Sequence, residues 1–130
     1  MIVKYKNKKI KVEVKKVSEL GKISGLMFRT RETKNLLFIF RKKTNIKIHS
    51  FFVFFKFLGV WLDEKNEVIE CKIIKPFSFG YSPKKSFVKL VEIPANEKNK
   101  KIIAFFVGKK DINSFSRRAN AVKTSFGRKI

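Results

Sequence analysis

The chain has 130 residues, 44% of them hydrophobic, which suits a single domain with a substantial core. Thirty-two Lys and Arg residues oppose ten Asp and Glu residues, giving a formal net charge of +22. A single cysteine, Cys71, excludes an internal disulfide, and the absence of any run of about 18 uncharged apolar residues argues against a membrane-spanning helix. The N-terminus lacks the apolar block of a secretory signal, so we expect a cytoplasmic protein.

The excess of positive charge favours a polyanionic partner. A small domain this basic repels itself unless it meets a polyanion, which in most proteins is nucleic acid. Two alternatives stay open: a lysine-coated surface without a binding role, and an acidic membrane or protein partner.

The first third of the chain predicts three strands and a helix. Residues 2–5 and 10–17 alternate apolar and charged side chains, which predicts two strands joined by a turn at Asn7-Lys8. Residues 18–24 predict a short helix. Residues 35–40 predict a third strand, and we expect the basic residues after it to lie in a loop.

Residues 46–70 contain the most hydrophobic part of the sequence and predict two central strands. Phe51, Phe52, Phe54, Phe55 and Phe57 fall within seven residues, and the polar residues 63–66 then interrupt the pattern. A strand that is apolar on both sides is expected where both faces of a sheet are covered. Residues 67–75 predict the return strand.

The remainder predicts a loop, a strand, a helix and an extension. Residues 77–85 are rich in loop-forming residues, and residues 87–93 predict another strand. Asn96 is placed to cap a helix that ends near Phe106. We therefore expect a globular domain over residues 1–108 and a basic C-terminal extension over residues 109–130, in which residues 112–122 have helical spacing.

Five blocks resemble a known family. The segments GLMFR (25–29), LLFIF (36–40), IHSFFVFF (48–55), VWLDE (60–64) and VKLVEIP (88–94) together are similar to the archaeal branch of the domain-of-unknown-function family number 192, over residues 10–107. The resemblance implies an α+β fold: a single compact β-rich domain with a small curled, mostly antiparallel sheet and one or two short helices. It implies no activity and no catalytic residues. Lys56 stands where the family often places Pro, and the basic extension is an addition.

Catalytic and metal chemistry have little support in the sequence. His49 is the single histidine, no Cys-x-x-Cys motif or phosphate-binding glycine loop occurs, and we expect no cofactor, no metal and no catalytic residue. Asp63, Glu64, Glu67 and Glu70 predict a polar hairpin turn that faces away from a polyanion. The alternative function is a small-ligand-binding domain or enzyme with a pocket near His49, Ser50 and Cys71.

The basic residues therefore define the predicted site. We expect a non-enzymatic RNA-binding protein, ribosomal or ribosome-associated, whose partners are ribosomal RNA and neighbouring ribosomal proteins rather than a membrane or a small-molecule substrate. A surface helix over residues 112–122 that binds acidic lipid is a further alternative. Phe115, Phe126 and Tyr81 are candidates for stacking on unpaired bases. The predicted interface comprises Arg41, Lys42, Lys43, Lys47, Lys84, Lys85, Lys98, Lys100, Lys101, Lys109, Lys110, Phe115, Arg117, Arg118, Lys123, Phe126, Arg128 and Lys129.

Overall fold

Seven strands and one α-helix form the described part of the chain, which comprises residues 1–17, 29–48, 50, 53–78 and 80–108 of a computed structural model. The elements are β1 (Ile2–Tyr5), β2 (Lys8–Lys11), β3 (Lys15–Lys16), β4 (Leu36–Thr44), β5 (Phe57–Leu62), β6 (Val68–Ile74), β7 (Phe87–Pro94) and α1 (Lys100–Val107). β1 and β2 form a hairpin, and the other strands form one sheet in the order β3-β4-β7-β5-β6. β3 pairs with β4 in parallel and the other three pairs are antiparallel. The predicted β-rich α+β fold is confirmed.

The hairpin turns one residue earlier than the sequence predicts. Tyr5 pairs with Lys8, so Lys6 and Asn7 form the connection, with φ angles of 50° and 64°. Two consecutive left-handed residues make a type I′ turn, which matches the twist of the flanking strands. The expected turn at Asn7-Lys8 is wrong because Lys6, a residue without a turn signal, supplies the first left-handed position.

β5 is an interior strand of the sheet and is buried along its whole length. It lies between β6 and β7, with Val60 opposite Cys71 on one side and Val91 on the other. The indole of Trp61 lies over Gly59, where an added Cβ would stand 2.8 Å from the ring. The prediction of a strand covered on both faces is confirmed.

The phenylalanine run before β5 is not a continuous strand. β5 begins at Phe57, and residues 53–56 lie outside any strand. The Val53 N–H donates to the Ser50 carbonyl, which turns the chain before it enters the sheet. Phe51 and Phe52 lie outside the described residues. Hydrophobicity alone therefore does not mark where β5 starts.

Two hydrophobic clusters cover the two faces of the sheet. The first contains side chains from the hairpin, the sheet and α1: Val3, Val12, Leu37, Leu58, Val60, Leu62, Val91, Ile93, Ala95, Ile103 and Phe106. The second contains the opposite residues of the same strands with loop residues: Val17, Leu36, Phe38, Val53, Phe55, Phe57, Trp61, Ile74, Phe87 and Leu90. Alternate residues of each strand thus enter different clusters, as the period of a strand requires.

β4 is longer than predicted. It continues to Thr44, which pairs with Phe87 of β7 after a register shift beyond Ile39. Arg41, Lys42 and Lys43 consequently lie in a strand, and their placement in a loop is wrong. Because their side chains are exposed, charged residues can occupy this part of the strand without being buried. Lys47 does lie in a loop, as predicted.

α1 ends where the sequence indicates, but it begins at Lys100, one 3₁₀ turn later than the predicted cap at Asn96. The Asn96 side chain accepts the Asn99 N–H at 2.9 Å and caps a 3₁₀ turn, Glu97–Asn99, that leads into the helix. The Gly108 N–H donates to the Ala104 carbonyl, and Gly108 has a φ of 91°. Across the described ranges no helix reaches the length and apolarity needed to cross a bilayer. The predicted helix over residues 18–24 and the extension over residues 109–130 lie outside them.

Candidate nucleic-acid interface

Nine of the predicted interface residues are described, all nine are exposed, and they form two groups. The strand-end group contains Arg41, Lys42, Lys43, Lys47, Lys84 and Lys85. The helix group contains Lys98, Lys100 and Lys101. The first precedes β7 and the second follows it, so the length of β7, roughly 24 Å for eight residues, separates them. The predicted Lys109, Lys110, Phe115, Arg117, Arg118, Lys123, Phe126, Arg128 and Lys129 lie outside the described residues.

The sheet itself brings the strand-end group together. β4 and β7 are antiparallel neighbours, and Thr44 at the end of β4 pairs with Phe87 at the start of β7. Arg41, Lys42 and Lys43 lie on β4 just before this pair, and Lys84 and Lys85 lie in the segment opposite residues 45–47, since Ile48 pairs with Tyr81. Residues about 40 positions apart in sequence thus come to one end of the sheet through this pairing.

Two loops, which we call the paired loops, extend this surface. They are the loop after β4 (residues 45–56) and the loop after β6 (residues 75–86), described apart from residues 49, 51, 52 and 79. Ile48 and Tyr81 exchange both backbone hydrogen bonds, at 2.8 and 2.6 Å. Ser82 Oγ donates to the Asn45 carbonyl at 2.9 Å, and the Ser50 N–H donates to the Ser78 carbonyl at 3.0 Å. The loops therefore form a two-stranded ribbon that contains Lys47, Lys84 and Lys85 of the strand-end group and continues to Ser50 and Ser78.

Ser50 fastens the far end of the paired loops. Its side chain is fully buried, and its Oγ donates to the Lys75 carbonyl at 2.6 Å and accepts the Ser78 N–H at 2.5 Å. Its carbonyl accepts the N–H groups of Val53, at 3.1 Å, and of Phe77, at 2.9 Å. A single residue thus fixes the backbone of both loops.

Two phenylalanines project from this end of the loops. Phe54 is 60% exposed and Phe77 is 50% exposed, and their ring centroids lie 5.2 Å apart at an interplanar angle of 79°. Phe77 has a φ of 55°, a left-handed conformation that is rare for a bulky residue. Such strain costs about 1–3 kcal/mol and persists where the surroundings impose it. Here the Ser50 hydrogen bonds impose it.

Both paired loops lie in stretches of sequence without an acidic residue, although Glu70 of β6 contacts Tyr81. Between Glu32 and Asp63 the sequence has six basic residues, and between Glu70 and Glu92 it has five, without one carboxylate in either interval. These intervals contain β4, β5 and both paired loops. The strand-end group and the two exposed phenylalanines therefore lie on stretches of uniformly positive sequence.

The acidic turn borders the strand-end group. Asp63 Oδ1 accepts the N–H groups of Lys65, at 2.8 Å, and Glu67, at 2.9 Å, which closes the predicted hairpin turn. Within the described ranges no three metal-ligating side chains gather. Glu64 Oε1 lies 3.8 Å from Lys43 Nζ, with both side chains exposed. The expectation that the acidic turn faces away from the basic residues is wrong, because the extended β4 delivers Lys43 to the same end of the sheet.

Tyr81 is engaged within the fold. Its hydroxyl donates to Glu70 Oε2, the Lys72 ammonium lies 3.9 Å from its ring centroid, and its ring centroid is 5.4 Å from that of Trp61. The hydrogen bond to Glu70, together with burial and the negative charge of Glu70, raises the pKa of Tyr81 to about 12. These contacts occupy part of the Tyr81 ring, and its stacking on bases stays a prediction.

The helix group borders a separate groove of about 580 Å³. Lys98 lines it with Lys11 and Lys34, and Glu13 is its one carboxylate. Beneath the groove, the buried Asn99 donates to Asn35 at 2.9 Å, which ties the start of α1 to the segment before β4. This surface is also positive, but it has no exposed aromatic pair among the described residues.

Two residues of the alternative pocket, Ser50 and Cys71, lie apart in the described structure. Cys71 packs against the first cluster, and its Sγ lies 3.9 Å from the Phe106 carbonyl. Burial raises the pKa of the Cys71 thiol, with smaller opposing effects from Tyr5 and Lys6. Ser50 lies with the paired loops, which pack on the second cluster through Ile48. The sheet thus separates Ser50 from Cys71, and His49 lies outside the described residues.

A buried carboxylate in β7 has no counterpart in the sequence-based predictions. Glu92 pairs with Leu36 of β4 and Gly59 of β5, and its Oε2 is buried without a hydrogen bond. Trp61 Nε1 is likewise buried and unpaired. Burial raises the pKa of Glu92 to about 8, although the positive charge of Arg29 opposes the shift. A Glu between the apolar residues Val91 and Ile93 is the available signal.

Comparison with known proteins supports the fold alone. No protein-family model matches the chain, and no curated protein matches it. A crystal structure of a protein of unknown function from Novosphingobium aromaticivorans is similar, with a TM-score of 0.56 and 11% sequence identity. The match covers 72% of this chain and 68% of that chain. The resemblance to family number 192 stays a prediction.

Proposed function

We propose that this protein is a non-enzymatic, cytoplasmic RNA-binding protein that associates with ribosomal RNA and neighbouring ribosomal proteins. The observation that supports the proposal is the strand-end group: six exposed basic side chains on acid-free stretches of a chain with a net charge of +22. Exposed ammonium and guanidinium groups bind phosphates and release counterions, whatever the base sequence. Most contacts would therefore be to the RNA backbone.

The basic residues outside the strand-end group extend the proposal. The helix group offers a second phosphate-binding surface at the other end of β7, and the predicted extension over residues 109–130 adds further positive charge. An RNA that reaches both ends of β7 would contact charges roughly 24 Å apart. A folded RNA of the ribosomal type offers phosphates at such separations, whereas a small-molecule ligand does not.

Salt dependence of RNA binding tests the proposal. If about six phosphates are neutralised, affinity should fall on the order of a thousandfold between about 50 and 200 mM salt. Fluorescence anisotropy with labelled ribosomal RNA fragments measures this slope. Affinity that does not change with salt would contradict the proposal.

Truncation after Gly108 measures how much of the RNA affinity comes from the domain and how much from the extension. We expect the variant that lacks residues 109–130 to keep the fold and bind RNA more weakly with a smaller salt slope. Replacing all six strand-end residues by Gln in the full chain is the matched comparison. Unchanged RNA affinity in both variants would contradict the proposal.

A further inference from the structure

The exposed pair Phe54 and Phe77 is an unusual use of two large apolar side chains. Phe54 is 60% exposed and Phe77 is 50% exposed, so half or more of the free energy available from burying each side chain is lost. The backbone at Phe77 is strained as well. The buried Ser50 hydroxyl and carbonyl hold both loops in this arrangement. Strain that the surroundings impose at an exposed site points to a role in binding.

We propose that Phe54 and Phe77 form a stacking site for an unpaired base of single-stranded RNA. The inference rests on the proposed RNA-binding function and adds to it the kind of RNA element recognised. Aromatic rings accept any base by stacking, whereas a paired base in a duplex is inaccessible to them. The edge-to-face pair presents two ring surfaces in different orientations, so a base that stacks on one ring contacts the edge of the other.

Charge near the pair selects a nucleic acid over an apolar protein surface. Lys75 is exposed two residues before Phe77, and Lys47 is exposed and packs against Gly80 in the opposite loop. Phe54 lies between Glu32 and Asp63, Phe77 lies between Glu70 and Glu92, and neither interval of the sequence contains an acidic residue. From there the ribbon leads directly to Lys84, Lys85 and the end of β4. A strand whose base stacks on Phe54 or Phe77 would place its adjoining phosphates along this basic ribbon.

The experiment compares three RNA probes on the full chain. They are an unstructured single strand, a duplex with the same number of phosphates, and an abasic strand of the same length. The variants are Phe54→Ala, Phe77→Gly and their combination. Phe77→Gly removes the ring and relieves the left-handed strain, so loss of binding cannot be attributed to unfolding. Ile2→Ala, at an exposed apolar residue of β1, is the control.

We expect each Phe variant to lose about 5- to 100-fold in affinity for the single strand, the range for one base–aromatic stack. Affinity for the duplex and the abasic strand should stay unchanged. Ile2→Ala should bind the single strand as the wild type does, and so should Phe54→Tyr, which keeps an aromatic ring. With the wild-type protein, a fluorescent adenine analogue in the single strand should be quenched on binding, and the double variant should abolish the quenching.

Three outcomes overturn the inference. The first is equal loss on all three probes, or no loss on the single strand. The second is a wild-type dimer in light scattering that the double variant dissociates while RNA affinity stays unchanged, since the pair would then bind a second copy. The third is no salt-dependent binding of any probe, which removes the proposed function as well. In the first two cases the wild-type protein still binds the duplex and the abasic strand. This binding separates failure of the stacking site from failure of RNA binding.

Discussion

β5 and the paired loops are both rich in aromatic residues and treat them in opposite ways. In β5 every residue is buried, and Gly59 makes room for the indole of Trp61. In the paired loops, Ser50 is buried while Phe54 and Phe77 are exposed. The sheet thus uses aromatic rings to fill volume, whereas the loops bury Phe55 and hold Phe54 and Phe77 in solvent through backbone hydrogen bonds. Substitutions in the first region should change stability, and substitutions in the second should change binding.

Trp61→Ala should cause the largest loss of stability among substitutions in β5. The ring is fully buried between both neighbouring strands, and truncation of a buried large aromatic side chain costs about 3–5 kcal/mol. Urea unfolding followed by circular dichroism measures the loss. The RNA affinity of the folded fraction should equal that of the wild type, and a loss specific to RNA binding would contradict the assignment of Trp61 to the core.

Glu92→Gln should change how stability depends on pH. The carboxyl has a pKa of about 8 in the folded protein, against 4.5 for an unperturbed Glu, so the folded state keeps its proton over an interval in which the unfolded state releases it. The free energy of unfolding should therefore fall as pH rises from about 4.5 to 8 and then level off. The full shift corresponds to roughly 5 kcal/mol, and relaxation around the charge reduces it, so we expect about 3 kcal/mol.

Unfolding at several pH values, compared between wild type and Glu92→Gln, isolates this contribution. The glutamine variant should lack the decline and be more stable than the wild type at alkaline pH. Parallel stability curves for the two proteins would show that Glu92 is ionised in the fold. RNA affinity at constant pH serves as the control and should not differ, since Glu92 is buried in the sheet.

Gly59→Ala should have a smaller effect of the same kind. The new methyl group would lie 2.8 Å from the Trp61 ring, and overpacking of this sort costs about 1–3 kcal/mol. Combining it with Trp61→Leu should recover part of the loss caused by Gly59→Ala, because the ring that clashes is then absent. Equal and additive losses would contradict the contact as the cause.

Lys43→Gln should scarcely affect stability. Its ion pair with Glu64 joins two exposed side chains at 3.8 Å, and such pairs contribute about 0–1 kcal/mol. If Lys43 contacts a phosphate, the slope of log affinity against log salt should fall by about 0.9. Lys42→Gln, one residue earlier on β4, is the matched variant without that ion pair.

The sequence predicts those elements whose signals are local. β5, β6 and β7 follow from alternating or continuous apolar residues, and the 3₁₀ turn that leads into α1 follows from Asn96, whose side chain caps it. The turn at Lys6-Asn7 and the extension of β4 through Arg41–Lys43 were missed. In both places backbone pairing with another strand decides the conformation, and the side chains give no sign of it.

The candidate site is only partly predictable for the same reason. Counting charges identifies the strand-end residues, but only the β4–β7 register shows that Lys84 and Lys85 lie at the same end of the sheet as Arg41–Lys43. Phe54 and Phe77 are as hydrophobic as Phe57, which is buried, and their exposure depends on hydrogen bonds from Ser50. Tyr81 looked equally available but lies between Lys72 and Trp61. Hydrophobicity predicts that the Phe54 and Phe77 side chains are buried, but the hydrogen bonds of the loops keep them exposed.

Sedimentation from gently prepared native lysate, with and without ribonuclease, tests the central proposal most directly. The account predicts that the full chain sediments with ribosomal particles at low salt and leaves them after nuclease treatment or at high salt. A chain that sediments free of RNA in untreated low-salt lysate would contradict the proposal.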